Sequence, residues 1–254
     1  MTGLRRALSL FTVVPAGRFD DLGRAEAVAA LRWLPLVGSG LGALAGLPAA
    51  AVAHWAPHAL LLGAVLAMLV LALLTRGLHL DGLADTVDGL GSRAPAEQAL
   101  QIMRRSDIGP FGVLALVLVL LVDVAATVPL EVNTWRPVAA LAVAAATGRV
   151  AALLGAHRSV PPARPDGFGG YVAGSQPTAV LLAETLVVLG FGAGLAAAVS
   201  ASIIGWLAAQ VAALTVAVGL LAHVRRRLGG VTGDVFGALI EISTALTLAG
   251  LAFA

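Results

Sequence analysis

Apolar residues fall in long blocks along this chain, with the polar residues gathered between them. Segments 34–53 and 59–75 hold no charged side chain. Segment 111–130 holds one acid, Asp123, and segment 137–156 one base, Arg149. The run 178–222 is too long for one crossing and divides near Ser200, giving a fifth segment with Glu184 and a sixth with Gln210. A last segment, 235–254, holds Glu241. A helix needs about 20 apolar residues to cross a bilayer. The pattern therefore predicts an all-α, polytopic integral membrane bundle of about seven transmembrane helices, read as one transmembrane domain over 1–254. No alternation of period two runs through these blocks, which argues against a barrel.

The polar stretches fix the orientation. Segments 1–33, 76–110, 157–177 and 223–234 hold fourteen arginines, while the turns on the other side hold only Arg136. Positive charge stays on the cytoplasmic side, so the N-terminus is expected in the cytoplasm and the C-terminus outside. Residues 1–33 then form a cytoplasmic or interfacial segment. The stretch 7–14 is too short for a signal peptide and no A-x-A site follows, so it reads as a short interfacial helix. The loops 76–110 and 157–177 face the cytoplasm and are long enough to carry function. The expected location is the cell inner or plasma membrane, as a multi-pass protein with its active site facing the cytoplasm.

Composition agrees. The chain is 59% hydrophobic and 12% charged, with a mean hydropathy of +0.95. A soluble domain runs about 45–50% apolar and about 25% charged. A water-soluble globule, a disordered chain and a nucleic-acid partner are excluded; lipid is the expected surroundings. Cysteine is absent and all 16 basic residues are arginine. That removes disulfides, thiolate metal sites, cysteine nucleophiles and lysine Schiff bases. Gly38, Gly40 and Gly42 permit close helix packing, within the chain or in a homo-oligomer.

The strongest chemical signal is His79-Leu80-Asp81-Gly82-Leu83-Ala84-Asp85-Thr86-Val87-Asp88-Gly89. Asp81, Asp85 and Asp88 fall at i, i+4 and i+7, on one face of a helix. Such a face repels itself unless a cation neutralises it. Mg²⁺ takes oxygen ligands and uses a few carboxylates plus substrate phosphates. Gly82 and Gly89 would let a large ligand approach. His79 is a candidate base or ligand. Arg104-Arg105-Ser106-Asp107, before a Gly-Pro turn, suits phosphate binding, and His157-Arg158 opens the second long loop. Asp234 and Glu241 lie seven apart on one face of the last helix. Asp234 also suits a helix N-terminus, whereas Glu241 lies about 10 Å into the span, where a buried acid is costly and usually functional.

These residues resemble a known family. The run from Gly77 to Gly89 is similar to the signature of the cobalamin 5′-phosphate synthases, also called adenosylcobinamide-GDP ribazoletransferases. Phe11-Thr12-Val13-Val14-Pro15, Leu34-Pro35-Leu36-Val37-Gly38, Ile108-Gly109-Pro110-Phe111-Gly112 and Thr232-Gly233-Asp234-Val235-Phe236-Gly237 resemble further family segments, in order. The resemblance implies a Mg²⁺-dependent membrane transferase. It joins adenosylcobinamide-GDP to α-ribazole or α-ribazole 5′-phosphate and releases GMP by phosphoryl transfer. On that basis Asp81, Asp85 and Asp88 would hold the metal, with Asp234 and Glu241 completing the site or orienting the alcohol. Asp88 and His79 are the candidate catalytic bases. Arg104, Arg105, Ser106, Asp107, His157 and Arg158 would bind substrate. Trp33, Phe111, Phe168 and Tyr171 are candidate corrinoid contacts. One departure stands out: family members often read Lys-Asp-Ser-Arg where this chain has Arg104-Arg105-Ser106-Asp107, so acid and base are exchanged around Ser106. Two other readings share the aspartate face. A CDP-alcohol phosphotransferase would carry Ala-Arg after its second aspartate, which Asp85 lacks. A divalent-cation transporter would use Asp123, Arg149, Glu184 and Glu241 along a path and show repeated halves.

Overall fold

The computed structural model describes residues 2–17 and 23–254; Arg18 lies outside them. Among the described residues the chain is helical, with two isolated bridges and no strand. Six helices are each long and apolar enough to cross a membrane. They are α3 (Leu34–Trp55), α7 (Pro110–Thr127, continued by a 3₁₀ turn at Val128–Val132), α8 (Arg136–Gly155), α10 (Thr178–Ala198), α11 (Ile203–Leu228) and α12 (Gly233–Ala252). The break predicted near Ser200 falls between α10 and α11, and Ser200 itself is left-handed at φ 55°. The seventh predicted crossing is α4 (Leu60–Thr75), which at 16 residues reaches crossing length only together with α5 (Leu78–Gly91), bent from it by 91°. Short helices α1 (Thr2–Phe11), α2 (Arg24–Arg32), α6 (Ala96–Ile102) and α9 (Gly167–Val172) complete the chain.

The bend between α4 and α5 has a local cause. Arg76 and Gly77 are both left-handed, at φ 57° and 66°. The Gly77 N–H closes back on the Ala72 carbonyl, a glycine-type helix stop. Arg76 also donates to the Leu10 carbonyl, tying the turn to α1. α5 consequently does not continue the crossing. It lies across the starting ends of α12 and α7.

Packing between crossings follows small residues, because side chains gain nothing by leaving lipid for another apolar helix. The alanine-rich α8 sits at the centre, with 89% of its span buried. α3 runs antiparallel against it along Gly38, Gly42 and Gly46. A Cβ at these positions would meet, in turn, Arg149 and Ala145, Leu141 and Ala142, and Pro137 and Val138. Gly40 belongs to another face and has open space around it. Gly148 gives α12 the same close approach, at Thr244 and Ile240. The buried Gln210 side chain donates to Thr147 Oγ1 and to the Val188 carbonyl, joining α11 to α8 and α10.

The seam sets a contrast between neighbouring glycines. Gly42→Ala forces α3 off α8 and is expected to cost about 1–3 kcal/mol, while Gly40→Ala is neutral. Thermal unfolding in detergent checks this; equal melting temperatures for the two variants would contradict the seam.

Candidate active site

The aspartate helix α5 crosses α12 through two glycines. A Cβ on Gly82 would lie 2.7 Å from the Asp234 carbonyl oxygen, and one on Gly237 2.8 Å from that of His79. Gly89 is likewise filled, by Met103 of the α6 end. These α5 glycines therefore serve helix approach rather than ligand approach.

The crossing faces Asp81 and Asp85 of α5 toward Asp234, in the first turn of α12. Burial, then the charges of Asp81, Asp234 and Asp88, push the Asp85 carboxyl up to about 7, against a smaller opposing effect of Arg164. Asp234 Oδ2 accepts from Arg164 Nη2 at 3.1 Å and from Thr232 Oγ1 at 3.1 Å. Thr232 Oγ1 in turn caps α12 by accepting from the Val235 N–H. The result is a patch of mutually repelling oxygens with one guanidinium at its edge. Among the described residues no three carboxylates or histidines converge into a protein-only metal cage. The oxygens still suit a hard cation that takes a few carboxylates and completes its shell with substrate phosphate.

Two of the predicted metal ligands have other partners. Asp88 is buried, and its oxygens accept from the Gly109 N–H at 2.7 Å and the Gly112 N–H at 2.9 Å, holding the start of α7. Glu241 shares a face with Asp234 in sequence but lies about 10 Å further along α12 at 1.5 Å per residue. There its Oε1 is 3.9 Å from His79 Nδ1, within electrostatic reach of Arg149 and Asp123. His79 is buried, with Nδ1 3.5 Å from Arg149 Nη2 and Nε2 without a partner.

The predicted substrate-binding residues separate into groups. Arg105 and Asp107 line a cavity of about 220 Å³ together with Asp85 and Asp88. Ser106 is exposed between them. Arg104 pairs with Asp166 and so joins the two long loops. His157 has both ring nitrogens engaged locally, by Ser159 and Thr178. Neither His157 nor the exposed Arg158 lines the cavities beside the aspartates. A larger cavity, about 390 Å³, opens on the other side of Asp81, between α5, α12, the loop carrying Arg164 and the start of α9 at Phe168. Arg164 and Thr232 join the site without having been singled out for it by sequence. Thr232 had a signal, as a threonine two residues before an acid at a helix start. Arg164 had only the weak signal of lying in the long, Gly- and Pro-rich loop 157–177.

Residues 3–252 match the family model described as cobalamin-5-phosphate synthase. An adenosylcobinamide-GDP ribazoletransferase of Frankia casuarinae is 40% identical, covering 98% of this chain and 93% of its own length. Enzymes of the same name from Klebsiella pneumoniae strain 342 and Citrobacter koseri are 41% and 42% identical, each over 85% of both chains. No solved structure matches.

The electrostatics separate Asp85 from Asp88. A carboxyl whose folded pKa is raised weakens the fold once ionised, fully so above about pH 7 and progressively less toward its unfolded value. Asp85 is partly solvated, so screening reduces the effect to about 1 kcal/mol. Without added metal, Asp85→Asn is expected to raise the melting temperature by roughly 2–4 °C at pH 8 and much less at pH 5. Asp88→Ala removes the anchor of α7 and lowers it by a comparable amount or more. Melting curves of both variants at the two pH values check this.

Proposed function

This chain belongs to the cobalamin-5-phosphate synthase family, and from that premise we propose how its residues carry out the reaction. It is a transferase that condenses adenosylcobinamide-GDP with ribazole. In our reading a ribose hydroxyl of α-ribazole, or of its 5′-phosphate, attacks the phosphorus attached to cobinamide. A new oxygen–phosphorus bond forms, the bond to the GMP phosphate breaks, and GMP leaves.

The observation that carries this reading is the charge coupling of Asp85 to Asp81 and Asp234 where α5 crosses α12 at Gly82 and Gly237, with Arg164 on Asp234. Asp81, Asp85 and Asp234 would hold Mg²⁺, which supplies positive charge to the phosphoryl oxygens. Asp85, coupled to both other carboxylates, is assigned the proton of the attacking hydroxyl. Arg164 orients Asp234. Arg105 and Asp107, in the smaller cavity, are placed to meet the nucleotide end of the donor. Asp88 positions the start of α7 and thereby that cavity. Glu241 and Arg149 position His79. The arginine asymmetry supports a cytoplasmic site in a plasma-membrane protein. Family membership leaves no need for the CDP-alcohol phosphotransferase or transporter readings.

Turnover in detergent or liposomes tests the proposal, with adenosylcobinamide-GDP and α-ribazole supplied and GMP and corrinoid product followed. Product is expected with Mg²⁺ and not with EDTA. Asp85→Asn and Asp234→Asn are each expected to lower kcat at least 100-fold while the proteins remain folded. Undiminished turnover in either variant would remove that carboxylate from the site.

A further inference from the structure

The larger cavity has a composition unlike a phosphate site. Its walls come from α1, α2, α3, α5, the loop before α9, the start of α9, and α12. Along α12 the lining runs from Asp234 to Ile240, about 9 Å inward at 1.5 Å per residue, from charge at the helix start to aliphatic surface. Three phenylalanines meet there edge to face. Phe11 and Phe168 have ring centroids 5.2 Å apart, and Phe168 and Phe236 6.2 Å apart. His79 stacks on Phe11 at 6.4 Å.

Two polar atoms of this lining are buried and unpartnered: His79 Nε2 and Arg164 Nη1. The nearest polar group to His79 Nδ1 is the Arg149 guanidinium, at 3.5 Å, which can only donate. In that hydrogen bond Nδ1 accepts and Nε2 carries the ring N–H, with Glu241 Oε1 further off at 3.9 Å. The cavity thus offers one N–H donor among aromatic walls and one guanidinium N–H near the aspartates.

We propose that this cavity is the acceptor-nucleoside site: it encloses an uncharged, planar, bicyclic aromatic base between the phenylalanines and leaves the ribose at the aspartates. The inference rests on the function proposed above and chooses among the parts of its two substrates. The dimethylbenzimidazole of α-ribazole is apolar apart from one ring nitrogen lone pair, which matches the single His79 donor. Guanine carries several donors and acceptors that these walls would strand. A corrinoid is too large for a cavity of about 390 Å³, a volume near the small end of ligand pockets. Arg164 Nη1 then meets a ribose oxygen or the 5′-phosphate.

The test divides the two substrates kinetically. Leu78→Trp fills the cavity from its exposed rim, and Phe168→Leu removes an aromatic wall while keeping it apolar. Both are expected to raise KM for α-ribazole at least tenfold and to leave KM for adenosylcobinamide-GDP within twofold. The wild type is also expected to bind 1-ribosylindole, which lacks the ring lone pair, about tenfold more weakly than α-ribazole, and His79→Leu is expected to erase that preference. A rise in KM for the GDP substrate instead, or no change in either, would overturn the assignment. Absence of product from the folded wild type with Mg²⁺ would count against the reaction. The cavity is then judged by direct binding of α-ribazole to the solubilised full chain: binding that weakens in Leu78→Trp upholds it, and binding that does not weaken refutes it.

Discussion

Gly82 of α5 rests on the backbone of α12, and Gly237 of α12 rests on the backbone of α5. In lipid, close backbone contact and polar bonds are the main forces that choose one helix arrangement over another. A methyl group on either glycine would lift the aspartate helix from Asp234 and tilt His79 away from the cavity. The same economy of space operates deeper in the bundle. Gly38 of α3 leaves room for the aliphatic stem of Arg149 on α8, whose guanidinium then reaches His79. The helix seam and the site are therefore one mechanical system, in which small residues on α3, α5 and α12 set the positions of charged ones.

The crossings were legible in the sequence because each is a block of nearly continuous apolar residues, and Ser200 marked the one division inside a block. The direction of α5 was not. Its i, i+4, i+7 aspartates define a face of a helix, but the right-angle turn rests on two left-handed residues, one of them Arg76, whose conformation composition does not announce. Long-range partners were equally hidden. Asp88 looks like its neighbours in sequence, yet its carboxylate is spent on amides more than twenty residues away. Glu241 shares a helical face with Asp234 but lies deeper, and depth decided its partners. Arg164 became visible only when the loop folded over α12.

The two cavities differ as their neighbours differ. The larger draws its walls from helix interiors, so it is mainly aromatic and aliphatic. The smaller forms where α5, the end of α6, the loop after it and the start of α7 meet, so Arg105 and Asp107 come from a loop while α5 supplies Asp85 and Asp88. Asp81 and Asp85 stand between them on consecutive turns of α5. One short helix thus borders an apolar chamber and a polar one, with its charged face shared between the two.

The helix starts beside the site are already occupied. Asp88 takes the free amides of α7, while Thr232 caps α12 and Asp234 sits in its first turn. Many phosphate sites rely on exactly such free amides and the dipole behind them. Here that resource faces the protein's own oxygens, so an incoming diphosphate meets negative charge at both helix ends. Electrostatic recognition of a donor must come from side-chain guanidinium groups or dissolved cations, rather than from fixed backbone dipoles.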